Sequence, residues 1–227
     1  MAGLRGNVAW LGAAFQADAD PATFVAANGH KNGLVGGNIG PVRETDNLSE
    51  TDASRDRGIT YVTQSGVEGE PEIYVRDESI VFWLKAALGN HSPSAGPTNF
   101  THTIIPGNTL PPFTCWKNLG DLLYEQYTNC KASSITISAE QGQPLTATVG
   151  IQGSKATRLT VAPDNAAALP VENSTPYYYQ RSTGAGIVTL GGGATALVRS
   201  FELGIENNVT RQHTNDVTAY DVVEGVR

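Results

Sequence analysis

The chain has 227 residues, 40% apolar and 16% charged, with 22 acidic side chains against 15 basic ones and a net charge of −7. About 25% charge is usual in a soluble globular protein, and here Gly, Ser, Thr, Asn and Gln fill the gap, residues that enter subunit contacts without stranding a charge. The acidic balance, with no Lys/Arg cluster interleaved with aromatics, argues against tight nucleic-acid binding, and no apolar run approaches the roughly 20 residues that span a bilayer.

This length makes one large β-domain or two small ones and buries roughly 70–75% of its unfolded surface, so folding needs no covalent staples. Cys115 and Cys130 fall in separate predicted strands. The amino terminus lacks the charged, apolar and cleavage regions of a signal peptide, which makes cytosolic synthesis with two free thiols the expectation. The sequons at Asn173 and Asn208 then read as chance. Composition leaves two readings open: a protein that covers its own surface with copies of itself, and a low-charge β-domain that stays monomeric.

The first sixty residues are rich in Gly, Asn and Asp and read mostly as loop or arm, with one early strand in the apolar cluster at 8–15. Residues 43–57 mix both signs of charge with almost no apolar side chains, so burial cannot offset their ordering entropy. They are expected to be mobile unless a neighbour orders them. Strands follow at 58–64 and 70–76, where Ile59, Tyr61, Ile73 and Val75 supply β-branched and aromatic side chains. One helix is expected over 77–88, with Asp77 or Ser79 as N-cap, a stripe of Ile80, Trp83, Leu84, Ala87 and Leu88, and Gly89 as its stop. Beyond a Pro/Gly loop through Pro97, strands are expected at 99–105, 113–117 and 122–127.

Next comes the clearest period in the chain. Ile135 and Ile137 alternate with Ser134, Thr136 and Ser138, and Leu145, Ala147, Val149 and Ile151 alternate with Thr146, Thr148 and Gly150. A period of two means strands with one buried face, and the short connection Glu140-Gln141-Gly142 joins them as a hairpin. A Ser/Thr row is neither core nor the charged coat of an ordinary monomer; it suits another chain, or a lumen. A strand at 155–161 precedes a long connection over 162–183 that holds Pro163, Pro170, Pro176 and three consecutive tyrosines. The last run, 194–209, places Leu197, Phe201, Leu203 and Ile205 on one side, with Glu202 and Glu206 on the other. No linker marks a second domain, and no repeat of solenoid period occurs.

The sequence offers no catalytic, cofactor or metal site. His30, His91, His102 and His213 lack the spacing of zinc ligands; His102, between Thr101 and Thr103, reads as a half-buried, hydrogen-bonded strand residue. Asp52 and Asp56 lack the alternating ligands of a calcium loop and read as solvated charges. The glycine runs at 33–40 and 191–193 have neither phosphate-loop nor dinucleotide spacing. No Gly-x-Ser-x-Gly elbow is present, and Glu70 and Glu72 read as the edge of a strand.

Taken in order, the helix end Leu88-Gly89, His102-Thr103-Ile104, Leu110-Pro111-Pro112-Phe113-Thr114, Tyr127-Thr128-Asn129-Cys130-Lys131 leading into Ser134-Ile135-Thr136-Ile137, the run 142–151, and Phe201-Glu202-Leu203-Gly204-Ile205-Glu206-Asn207-Asn208 form a distinct succession. Over residues 70–209 it resembles the tail tube proteins of long-tailed bacteriophages. The resemblance implies a mainly β protein, a β-sandwich or half-barrel with one flanking α-helix, as a single domain over 1–227. It implies hexameric rings stacked into a tube, with strands of neighbouring subunits joined into a continuous inner barrel. Such closure removes exposed edge strands.

The implied role is structural, a conduit for genome DNA, with no enzyme activity and no cofactor. The implied partners are further copies of the chain, the tape measure, terminator and distal tail proteins, and DNA in transit, with no membrane anchor. The implied place is the virion tail, after synthesis in the host bacterial cytoplasm. Within that frame Ser134, Thr136, Ser138, Glu140, Thr146 and Thr148 are candidates for the lumen. Arg43, Glu44, Asp46, Glu50, Asp52, Arg55, Asp56 and Arg57 are candidates for a mobile loop that orders against the next ring. A single non-specific basic site binds DNA with a Kd of roughly 10⁻⁴ to 10⁻⁶ M; a tube would repeat it along its length, so weakly acidic walls let the genome slide.

One departure is visible. In relatives the region resembling 220–227 is followed by further strands, whereas this sequence stops, which leaves open a shorter complete domain or a missing segment. Two other readings stand beside the tube: a single-ring terminator or connector, and a monomeric β-sandwich that binds glycans on Trp83, Trp116 and Tyr177 to Tyr179.

Overall fold

The computed structural model describes residues 9–16, 29–47, 60–95, 100–120, 123–160, 169–171, 174–179, 187–189, 195–211 and 222–224. In chain order the elements are β1 (Trp10–Phe15), β2 (His30–Gly36), β3 (Ile39–Asn47), β4 (Thr60–Gly69), β5 (Glu72–Tyr74), α1 (Asp77–Leu88), β6 (Gly89–Ala95), β7 (Phe100–Pro106), β8 (Phe113–Leu119) and β9 (Leu123–Glu140). They continue with β10 (Thr146–Gly153), β11 (Lys155–Leu159), β12 (Ile187–Thr189), β13 (Thr195–Leu197), β14 (Ser200–Glu206), β15 (Val209–Arg211) and β16 (Val222–Glu224). The protein is mainly β, as the sequence implies.

The ladder β9-β8-β1-β2-β5-β10 returns to β9, so six antiparallel strands close into a barrel. Its interior is apolar: Leu11, Ala13, Ile73, Phe113, Cys115, Tyr127, Ile135, Ala147 and Val149 are each at most 1% exposed. The 18-residue β9 serves both walls. Its lower half pairs with β8 and β11 and its upper half with β10 and β14. A bulge opposite Phe113/Cys115, with Asn129 at φ 56°, provides the bend between them. The sequence reading divides this strand in two because the polar run 128–131 interrupts the period; backbone pairing carries it through.

The helix spans 77–88 as expected and stops at Gly89, whose φ of 98° only glycine adopts freely. Its start differs from the expectation. Arg76 is the N-cap, in extended conformation and with no side-chain cap bond, while Asp77 and Glu78 lie in the first turn and favour the positive end of the helix dipole. The buried face is Ser79, Phe82, Trp83, Ala86 and Ala87, with Ile80 and Leu84 packed at its margin. Phe82 and Trp83 meet edge to face at 5.0 Å, and Trp83 meets Phe113 at 5.9 Å. Asn207 Nδ2 ties the helix end to the barrel, donating to Ala87 O at 2.8 Å and to Ala132 O at 3.1 Å.

Three strands lie where the sequence reading places loop: β2, β3 and β6. Each carries glycine, proline or charge on a face left open to solvent, so none shows an apolar period; long-range partners, not propensity, hold them extended. In particular Arg43, Glu44 and Asp46, read as loop, belong to β3 and pair across to Ser65, Gln64 and Tyr61 of β4. Glu50, Asp52, Arg55, Asp56 and Arg57 lie outside the described residues, as do the glycine run 191–193 and His213. Among the described residues no helix is long and apolar enough to cross a membrane.

Candidate functional site

The two outer walls of the barrel differ. On the β1/β8 wall, Trp116 and Ala14 are buried under Leu169, with Trp10 packed beside them. There the 169–171 segment is tied down by the Lys31 amide, which donates to Pro170 O at 2.9 Å. On the β5/β10/β9/β14 wall, the Ser/Thr row is half-buried.

Residues directly opposite on antiparallel strands share a face, and the registers build that wall row by row. Glu206, Ser134 and Gly150 form one row; Gly204, Thr136, Thr148, Glu72 and Gly36 form the next. Then come Glu202, Ser138, Thr146 and Tyr74, and lastly Ser200 with Glu140. All six residues singled out in the sequence for a lumen therefore lie on one face. Ser134, Thr136, Ser138, Thr146 and Thr148 are half-buried, and Glu140 is exposed at the end of its row.

The registers add three carboxylates that the sequence does not place here: Glu72, Glu202 and Glu206. Their signal was present as alternation with Ile73, Leu203 and Ile205, but nothing local says which strand lies alongside. The four rows carry four carboxylates and no Lys or Arg. A basic side chain enters only one row further out, where Lys131 shares a face with Gln152 and Glu68. Glu202 and Glu206 sit about 13 Å apart at strand rise, beyond a Debye length of about 8 Å, so their mutual repulsion is screened.

On one side the rows end at β14; on the other they run through β5 to β2, which carries the barrel on to β1. The sheet order runs β3-β4-β10-β9 with β14 beyond, and neither β3 nor β14 has a further strand partner among the described residues. On the reverse side of β14, Phe201 is 41% and Leu203 52% exposed. The sequence places them on one side with Ile205; of the three only Ile205 packs against the core cluster, while Phe201 meets the Tyr179 ring edge-on at 5.6 Å. At the hairpin end, Tyr177 and Tyr178 are about half exposed while the Tyr179 hydroxyl donates to Val198 O at 2.7 Å.

Other candidates resolve differently. Trp83 and Trp116 are buried, which removes the tryptophans of a glycan platform. His102 is exposed, not half-buried, and its Nδ1 lies 2.8 Å from His91 Nε2 in a stacked pair across the β6–β7 hairpin. Cys115 and Cys130 are free, as expected, and both are buried; burial, with the neighbouring Cys130 thiol, pushes the Cys115 pKa up. Among the described residues no group of three or more His, Cys, Asp or Glu is placed to hold a metal ion.

No curated protein matches the chain significantly. A family model described as phage tail tube protein matches residues 6–227, nearly the whole length and with it the barrel, the helix and the acidic wall. The chain therefore belongs to the phage tail tube protein family and is a structural protein of the virion.

Proposed function

We propose that the acidic Ser/Thr wall lines the bore of a tube of stacked hexameric rings, through which the genome passes without being held. The observation that carries this reading is the wall itself, a polar face whose four rows hold four carboxylates and no basic residue, in a sheet whose β14 and β3 edges have no further strand partner among the described residues. Edge pairing of β14 from one subunit with β3 of the next is a heterologous contact, the kind that closes into a ring. It also brings the neighbouring subunit alongside Phe201 and Leu203.

Polarity along the axis supports stacking. The β9–β10 turn at 141–145 marks one pole, whereas β4 pairs with the far end of β10 through Val67, Glu68 and Gly69 and continues away from that turn. The β3–β4 arm and the turn thus face opposite directions, as head-to-tail contact between rings requires. The arm, through Arg43, Glu44 and Asp46 and the connection beyond, is the element that meets the neighbouring ring. Tape measure, terminator and distal tail proteins are the further partners.

Negative-stain microscopy of the purified chain across a concentration series tests this. Hollow stacked tubes are the expected result; monomers at every concentration, or closed single rings that never stack, overturn it.

A further inference from the structure

The β3–β4 arm leaves the barrel at a tight corner. Gly37 sits at φ 68°, where a side chain would drive into the Glu70 carbonyl, and the Glu70 amide donates to Asn38 O at 2.9 Å. Beneath this corner lies a buried cation. Lys117 continues the interior row of Phe113 and Cys115 on β8 yet is only 8% exposed. Its ammonium donates to Asn38 Oδ1 and, at 3.0 Å, to Ile39 O.

The surroundings complete the arrangement. Glu125 is opposite Lys117 in the β8–β9 register. The Tyr127 hydroxyl donates to Glu125 Oε2 at 2.6 Å and lies 3.1 Å from Ile39 O. Burying an ammonium carries a desolvation cost that an apolar side chain of similar volume avoids, so barrel stability alone gives little reason for a lysine in this row. Both of its hydrogen bonds end on the first two residues of the arm's root.

We infer that Lys117 is a positioning residue for assembly: from inside the barrel it clamps Asn38 and Ile39 and so fixes the direction in which the β3–β4 arm leaves the subunit. The assembly part rests on the tube reading above; the clamp does not, because it acts within one subunit.

Hydrogen exchange on the full chain, kept dilute enough to be monomeric, tests the clamp directly. In Lys117→Met, amides of β3 and β4 are expected to exchange at least tenfold faster, while β8, β9 and β10 amides and the near-ultraviolet circular dichroism stay as in the parent, and tube formation is lost. Asn38→Ala removes one acceptor and leaves the lysine in place; should Lys117→Met not fold, it gives the same selective change at smaller size. Arm amides that keep their protection in the folded variants, or barrel amides that accelerate in step with the arm, overturn the inference. Selective loosening of the arm in a chain whose parent forms no tubes leaves the clamp standing and sinks the tube reading instead.

Discussion

His30 stands at the junction of β2 and α1, its ring 6.1 Å from Phe82 in an edge-on contact and its Nδ1 buried with no hydrogen-bond partner among the described residues. Burial pushes its pKa below the ordinary value, only partly opposed by Glu78. A base depressed in the folded state leaves the unfolded chain binding more protons as the pH falls through about 6.5. Its contribution is therefore present above that pH and lost below it. The urea midpoint of the monomer is expected to fall between pH 7 and pH 5, and to fall less steeply in His30→Phe; identical slopes for the two proteins refute this. Residue-scale features with a local cause were legible in the sequence: Gly89 stops the helix because the required φ belongs to glycine. The His91–His102 pair was not, because two strands eleven residues apart had first to be laid side by side.

At the scale of elements, β14 is the informative strand. One side adds Glu202 and Glu206 to the polar wall, and the other leaves Phe201 and Leu203 partly exposed beside a backbone edge that has no further strand partner among the described residues. An exposed apolar edge is a hazard in a monomer and an interface in an assembly. Leu203→Lys is expected to leave monomer stability within about 0.5 kcal/mol, as exposed substitutions do, while abolishing tubes in the microscope; normal tubes from the variant remove β14 from the lateral contact. The hairpin of β9 and β10 was legible because one buried face imposes a period of two. β3 was not, because it has solvent on both sides near its tip and its pairing with β4 follows from backbone hydrogen bonds, which any side chain permits.

For the whole molecule, the consequence lies in charge. The wall's four carboxylates come from three regions of the chain, and their sum is a surface that repels phosphate at short range without binding it. Tubes of the parent chain are expected to retain no duplex DNA fragments in co-sedimentation. Tubes carrying Glu140→Lys, Glu202→Lys and Glu206→Lys are expected to retain them at low salt with a Kd in the region of 10⁻⁴ to 10⁻⁶ M, and to release them as salt rises. If the lysine tubes retain no more DNA than the parent, these three positions do not face the bore.

Composition and alternation by themselves determined that this is a β-rich chain with one helix, few charges and a Ser/Thr face unlike an ordinary monomer's surface, because those properties follow from side-chain chemistry at a spacing of two or of 3.6 residues. The succession of short motifs also pointed to the tail tube family. Only the tertiary structure decided that β9 closes a barrel, that Glu72, Glu202 and Glu206 join the Ser/Thr rows, and that Lys117 reaches the root of the arm. Each depends on register between segments dozens of residues apart, and register is set by packing across the whole sheet, which no local pattern encodes.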